Sequence, residues 1–197
     1  MVNKMRGKEP VFDGAEKDII ERCQEGDTES FGLLAAKYYK PMSVFAYRMM
    51  GNWDEAKDVT QEAFVKAFSS IGKFKKSTNF SGWLYRIVYN QCLDYLRKRK
   101  KDKERIQRLP YGSVNGPYDD LIKKERERFI YECLQGLVYR QRVCLILKDL
   151  EGYSCEEIAQ ILKIGKSTVR VHLHRARENL KKIINQKQKE GKIDEMF

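Results

Sequence analysis

Residues 153–177 read YSCEEIAQILKIGKSTVRVHLHRAR, and this stretch decides the fold of the C-terminal half. Ser154 and Glu157 form an S-x-x-E capping box ahead of Ile158, Ala159, Ile161 and Leu162, so a short helix begins there. The turn KIGK (163–166) ends it, with Gly165 at its tightest point and Ile164 expected to be buried between the helices. Ser167 is the expected N-cap of the next helix. Two short helices joined by a tight turn, with the small Ala159 where they cross, make a helix-turn-helix.

In the second helix, at about 100° per residue, Val169, Leu173, Ala176 and Leu180 fall on one side. Thr168, Val171, His174, Arg175 and Glu178 face away from it, with Arg170, His172 and Arg177 on the flanks. Short and basic side chains suit a helix lying in a major groove. Arginine bridges guanine O6 and N7, threonine and valine meet the thymine methyl, and histidine donates. The chain has 2 histidines, both in this segment. Two positions apart on a helix, they diverge by about 200° and cannot chelate one ion, so no metal site is expected. No G-x-S-x-G, H-E-x-x-H or Gly-rich phosphate loop accompanies them, which leaves His174 without a catalytic partner.

Composition agrees with a polyanionic partner. The 197 residues carry 39 Lys and Arg against 28 Asp and Glu, a formal charge of +11, and excess positive charge favours nucleic acid over a small neutral substrate. The five cysteines (Cys23, Cys92, Cys133, Cys144, Cys155) are odd in number and scattered, with no C-x-x-C pair. A reduced, cytoplasmic protein is expected, with cysteine acting as a small hydrophobe. The N-terminus has no continuous apolar core, and no run of about 18 apolar residues occurs, so neither a signal peptide nor membrane insertion is expected.

The remaining periodicity is helical, and the expected class is all-α: two small helical domains joined by a flexible linker. From Phe31, residues Leu34, Ala35, Tyr38, Met42, Phe45, Ala46 and Met49 line one face of a long helix that Gly51 stops. Asn52 and Glu55 then open a helix burying Ala56, Val59, Ala63, Phe64, Ala67 and Phe68. A third runs from about Ser81 into the basic run at 97–101. Residues 102–120, DKERIQRLPYGSVNGPYDD, have the composition of a linker. The expected boundaries are a first domain at 1–101, the linker at 102–120, a second domain at 121–186 and a frayed tail at 187–197.

Two features of the first domain point to binding. The helix DEAKDVTQEAFVKAF (54–68) sets Asp54, Glu55, Asp58, Gln61 and Glu62 on its polar face in an otherwise basic protein. That face would repel phosphates, so a protein partner is the sharper reading. Acidity favoured by the helix dipole accounts for Asp54 and Glu55 but poorly for Gln61 and Glu62. Next, SSIGKFKKSTNFSGWLYRIVYN (69–90) interleaves Phe74, Phe80, Trp83, Tyr85 and Tyr89 with Lys73, Lys75, Lys76 and Arg86. Cations for the backbone and rings for unstacked bases are what single-stranded nucleic acid requires. Phe74 and Phe80, in or beside a polar loop, are the rings expected to be exposed, whereas Trp83 lies in phase with Ile87 and fits a core position equally well.

Taken in order, DEAKDVTQEAFVKAF, FSGWLYRIVYNQCLDYLRK and YSCEEIAQILKIGKSTVRVHLHRAR resemble bacterial sigma factors of the extracytoplasmic-function type, over about residues 18–184. The resemblance implies sigma region 2 in the first domain and region 4 in the last. It implies docking of Asp54, Asp58, Gln61 and Glu62 on the clamp helices of the largest subunit of core RNA polymerase, and of the C-terminal domain on the polymerase flap. Lys66, Phe74, Asn79, Phe80 and Asn90 would capture a flipped base of the -10 element, with Lys75 and Arg86 beside them. Thr168, Arg170, Val171, His174 and Arg175, next to Ser167, would read the -35 element of promoter DNA. An anti-sigma factor is implied as a further partner, and no cofactor is. Lys163 departs from the glycine common in such turns, and Leu137-Val138 from the usual Leu-Pro.

A helix-turn-helix regulator that binds duplex DNA without serving as a polymerase subunit would share the C-terminal half. It would have no reason to carry the acidic helix and WLYRI. A nuclease or recombinase lacks clustered carboxylates with a nucleophilic partner.

Overall fold

The computed structural model describes residues 14–75, 79–105 and 121–189. Their regular structure is entirely helical, and they fall into two compact units, one drawn from the described residues up to 47 and from 54 to 105, the other from 48–53 and 121–189. Lys76, positions 106–120 of the expected linker and 190–197 of the expected tail lie outside the described residues.

The first unit is built from α1 (Gly14–Gln24), all but the last turn of α2 (Thr28–Met50), α3 (Trp53–Ser70) beyond its first residue, and α4 (Phe80–Arg105). Helix α1 escapes the apolar pattern because it is mostly polar, burying little beyond Glu16, Ile20 and Cys23. Glu16 is nonetheless useful there, because it accepts from the Tyr38 hydroxyl at 2.5 Å and from Lys37 Nζ at 3.2 Å on α2. Helix α2 starts at Thr28 rather than Phe31, because Asp27 caps it: Oδ1 accepts from Glu29 N (2.9 Å) and Ser30 N (3.1 Å). Gly51 follows its end at φ +79°, a left-handed conformation that favours glycine, so the helix stops where expected.

Aromatic edges tie these helices together. Phe31 on α2 meets Phe68 on α3 at 5.1 Å between ring centroids, and Phe45 meets Tyr85 on α4 at 5.0 Å. Between α3 and α4 the chain makes a 3-10 turn, Ile71–Lys73, with Ile71 buried. Helix α4 continues through the basic run to Arg105, four residues beyond the expected domain boundary. Its charged end is compatible with helix because Lys and Arg are good helix formers.

The second unit comprises α5 (Leu121–Gln135), α6 (Tyr139–Leu145) with a π-helical turn Ile146–Leu150, α7 (Cys155–Leu162) and α8 (Lys166–Lys189). The capping box forms as expected. Ser154 Oγ accepts from Glu157 N at 3.2 Å, and Glu157 Oε2 accepts from Ser154 N at 2.7 Å, a cap worth about 1 kcal/mol. Helix α7 ends on Lys163 at φ 52° and ψ 49°, so a lysine here occupies the left-handed position. Gly165, not Ser167, precedes α8, and its carbonyl accepts from Val169 N at 3.0 Å. Ser167 lies inside the first turn and is exposed, and Ile164 is only half-buried.

Arg142 organises the corner between α5 and α6. Its guanidinium is buried and donates to Gln135 Oε1 (2.6 Å), Gln135 O (2.8 Å) and Leu137 O (3.0 Å), filling carbonyls that the end of α5 leaves without helical partners. Burial lowers its pKa to about 10, still far above neutrality. One turn earlier on α5, Glu132 is reached by Lys187 Nζ of α8 at 2.7 Å. Helix α8 therefore persists to Lys189, where the sequence suggested fraying from 187.

Candidate functional site

Helix α8 divides as its phase requires. Val169, Leu173 and Ala176 are buried, whereas Ser167, Thr168, Arg170, Val171, His174 and Arg175 are exposed. An exposed valine in a row of polar and basic side chains has the chemistry that can meet a thymine methyl. Arg177 is held aside by Asp149, with Nη2 to Oδ1 at 2.8 Å. His172 turns partly inward, and its Nδ1 is buried without a hydrogen-bond partner. Burial, then Arg140 and Arg175, lower its pKa, which favours a neutral ring. The two histidines thus have different surroundings, and no cluster of metal-ligating side chains occurs among the described residues.

The acidic face of α3 is formed by Asp54, Asp58, Gln61 and Glu62, all exposed. Glu55 leaves this face, because its carboxylate pairs with Arg99 on α4 at 2.9 Å. Between α3 and α4 runs a groove of about 880 Å³ lined by Asp58, Gln61, Glu62, Lys66, Gln91 and Arg97, among others. Gln91 is a residue that sequence reasoning missed. Its Nε2 donates to Glu62 Oε2 at 2.9 Å, and its Oε1 accepts from Lys66 Nζ. A single buried amide thereby joins a carboxylate of the acidic face to a lysine of the single-strand set. Its position beside Cys92 in an apolar run gave no sign of this.

The single-strand candidates separate into two groups. Lys66 and Asn90 line one shallow groove of about 550 Å³, which includes neither Phe74, Asn79, Phe80 nor Arg86. In the other group, the exposure expected for Phe74 and Phe80 is incorrect: they are 4% and 2% exposed. The rings lie 5.4 Å apart at 84°, with Tyr38 5.5 Å from Phe80 and Trp83 5.2 Å from Phe74. Edge-to-face packing in a cluster offers rings a larger apolar contact than water does, so the polar sequence around them does not carry them outward. Trp83 is the half-exposed member, while Lys75 is exposed and Arg86 half-exposed. Asn79 caps α4, its Oδ1 accepting from Ser81 Oγ at 2.8 Å and Gly82 N at 3.3 Å.

Both units have counterparts among known proteins. The family descriptions "Sigma-70 region 2" and "Sigma-70, region 4" match residues 34–102 and 129–180. The ECF RNA polymerase sigma factor SigW of Bacillus subtilis is 33% identical over 84% of this chain and 95% of its own length. The chain belongs to the sigma-70 family. The ECF RNA polymerase sigma-E factor of Escherichia coli is 31% identical over 81% of this chain and 89% of its own. In fold, this sigma factor resembles RpoE of Bartonella quintana, solved in complex with the anti-sigma factor NepR. The TM-score is 0.66 at 23% identity, covering 80% of this chain and 98% of that one. It is a transcription initiation factor of the ECF type, and a regulator with the C-terminal half alone would not match over region 2. No helix among the described residues is long and apolar enough to cross a membrane.

Proposed function

We propose that this sigma factor divides promoter recognition among three surfaces of its own chain. The exposed acidic row Asp54, Asp58, Gln61 and Glu62 docks on the clamp helices of core RNA polymerase. Thr168, Arg170, Val171, His174 and Arg175 read the -35 duplex, with Ser167 at the phosphates and the C-terminal domain seated on the flap. Lys66, Lys75, Asn79, Arg86 and Asn90 hold the non-template strand of the -10 element, over a floor made by Phe74 and Phe80. The observation that carries this reading is the acidic face of α3 in a chain of net charge +11, since a surface that repels DNA must have another purpose.

The mechanism is binding, not bond chemistry. Duplex contacts by α8 fix the complex on DNA, and contacts available only to unstacked bases draw the strands apart, so binding free energy drives opening. The chain acts in the cytoplasm without a cofactor, and an anti-sigma factor restrains it by covering these faces; the similar RpoE was solved in complex with an anti-sigma factor.

Run-off transcription with core polymerase and a promoter library tests the whole reading, because no transcript from any promoter would overturn it. Asp58→Arg combined with Gln61→Ala is expected to weaken polymerase binding by about 2–4 kcal/mol. Co-elution with polymerase undiminished from the unmodified protein would remove α3 from the interface.

A further inference from the structure

The proposed surfaces make no use of the end of α1, yet that end is bonded to the base of the -10 loop. Gln24 is the last residue of α1. Its Nε2 donates to Ile71 O at 3.0 Å and to Phe74 O at 2.8 Å. These carbonyls bracket the 3-10 turn Ile71–Lys73, and Phe74 N itself donates to Ile71 O at 2.9 Å. One amide group thus fixes both ends of the segment that leads into Lys75.

The backbone that carries Gln24 is itself held. Gly26 turns the chain at φ +101°, with Gly26 N donating to Cys23 O at 3.2 Å and Asp27 N to Arg22 O at 3.0 Å. Asp27 then caps α2, while Ile20 and Cys23 are buried beneath the same corner. Phe74 is already anchored through its ring, which lies against Phe80 and Trp83. The ring sets where the loop is attached. The Gln24 amide adds the direction in which its carbonyl, and hence the next residue, points.

We infer that Gln24 is a positioning residue for single-strand recognition: it aims the Phe74–Lys75 end of the loop from α1 without touching DNA. This rests on the -10 reading above. The requirement is for a donor, because both partners are carbonyls. A carboxylate of the same size should therefore fail, and an ammonium of different shape should serve.

The test uses polymerase holoenzyme assembled with the full chain and a pool of single-stranded oligonucleotides of random sequence. The readout is the affinity ratio between the sequence that the unsubstituted protein enriches and the starting pool. Gln24→Ala is expected to lower that ratio about tenfold, the loss expected for one or two such bonds. Core-polymerase affinity should not change. Gln24→Lys should restore the ratio, and Gln24→Glu should lose it at neutral pH and regain part as acidification gives its carboxyl a proton to donate. Equal ratios for all variants, or Gln24→Glu outperforming Gln24→Lys, would overturn the inference while leaving the -10 reading intact. No enrichment by the unsubstituted holoenzyme would overturn both.

Discussion

The two regions proposed to face DNA present their chemistry in opposite ways. Helix α8 carries its candidate residues exposed on a regular helix, with its apolar side buried against the second unit. At the loop of the first unit the rings are packed together and Asn79 is occupied as a cap, and in the neighbouring groove Lys66 is bonded to Gln91. A duplex offers its base edges without rearrangement, so a preformed helix suffices to read it. Unstacked bases exist only after melting, and the site proposed for them keeps its rings packed as a floor, away from water.

The largest expected effect separates the two regions by what their central side chains do. Phe80→Ala should cost the first unit about 3–5 kcal/mol of stability, followed by urea denaturation. A base-stacking ring on the surface would instead leave stability unchanged, and that result would return Phe80 to the exposed set. Arg175→Ala should do the reverse, weakening binding to a -35 duplex by about 1–3 kcal/mol with no change in the unfolding curve. An equal loss on random duplex would mean that Arg175 contacts phosphate alone.

Two smaller effects probe the turns. Lys163→Gly, at φ 52°, should stabilise the second unit by about 1 kcal/mol, because a left-handed conformation is costly for any residue with a Cβ. A thermal midpoint that stays put or falls would show that the lysine has compensating contacts. In the first unit, the Ser30 hydroxyl and then its amide hold the Asp27 carboxyl below the ordinary 3.8. Because the folded value is depressed, the cap's contribution is present above the unfolded value and is lost as pH falls through the folded one. Asp27→Asn should therefore be less stable than the unsubstituted chain near neutrality, with the gap closing on acidification. A gap that persists in acid would mean that ionisation is not what the cap uses.

Legibility in the sequence followed the same division. For α7 and α8, a capping box, a glycine turn and a 3.6-residue period act over neighbouring positions, so Ser154, Val169 and Leu173 could be placed from spacing alone. The turn itself was less legible: Gly165 rather than Ser167 opens α8, because the residue that caps depends on where the chain re-enters helical geometry. In the first unit the decisive contacts join positions far apart in the chain. Gln24 reaches Ile71 and Phe74, and Gln91 reaches Glu62 and Lys66. Nothing local marks either glutamine. Likewise a polar neighbourhood suggested that Phe74 and Phe80 face water, although Tyr38, more than thirty positions earlier, helps to bury Phe80. The family resemblance supplied the roles proposed for these residues, which periodicity could not.

The Arg142 corner has a consequence for which substitutions the second unit can accept. Two of its acceptors within α5 and the α5–α6 turn are main-chain carbonyls, at Gln135 and Leu137. Main-chain acceptors survive a change of side chain, so the turn that receives the guanidinium is open to sequence drift as far as those bonds are concerned. The donor has no such freedom. Lysine brings the charge but not the planar fork that spans separate carbonyls, and a neutral side chain would leave the buried Leu137 carbonyl unfilled. Mutational scanning of this corner should therefore find Gln135, whose main-chain carbonyl survives substitution, more replaceable than Arg142, which tolerates almost no replacement.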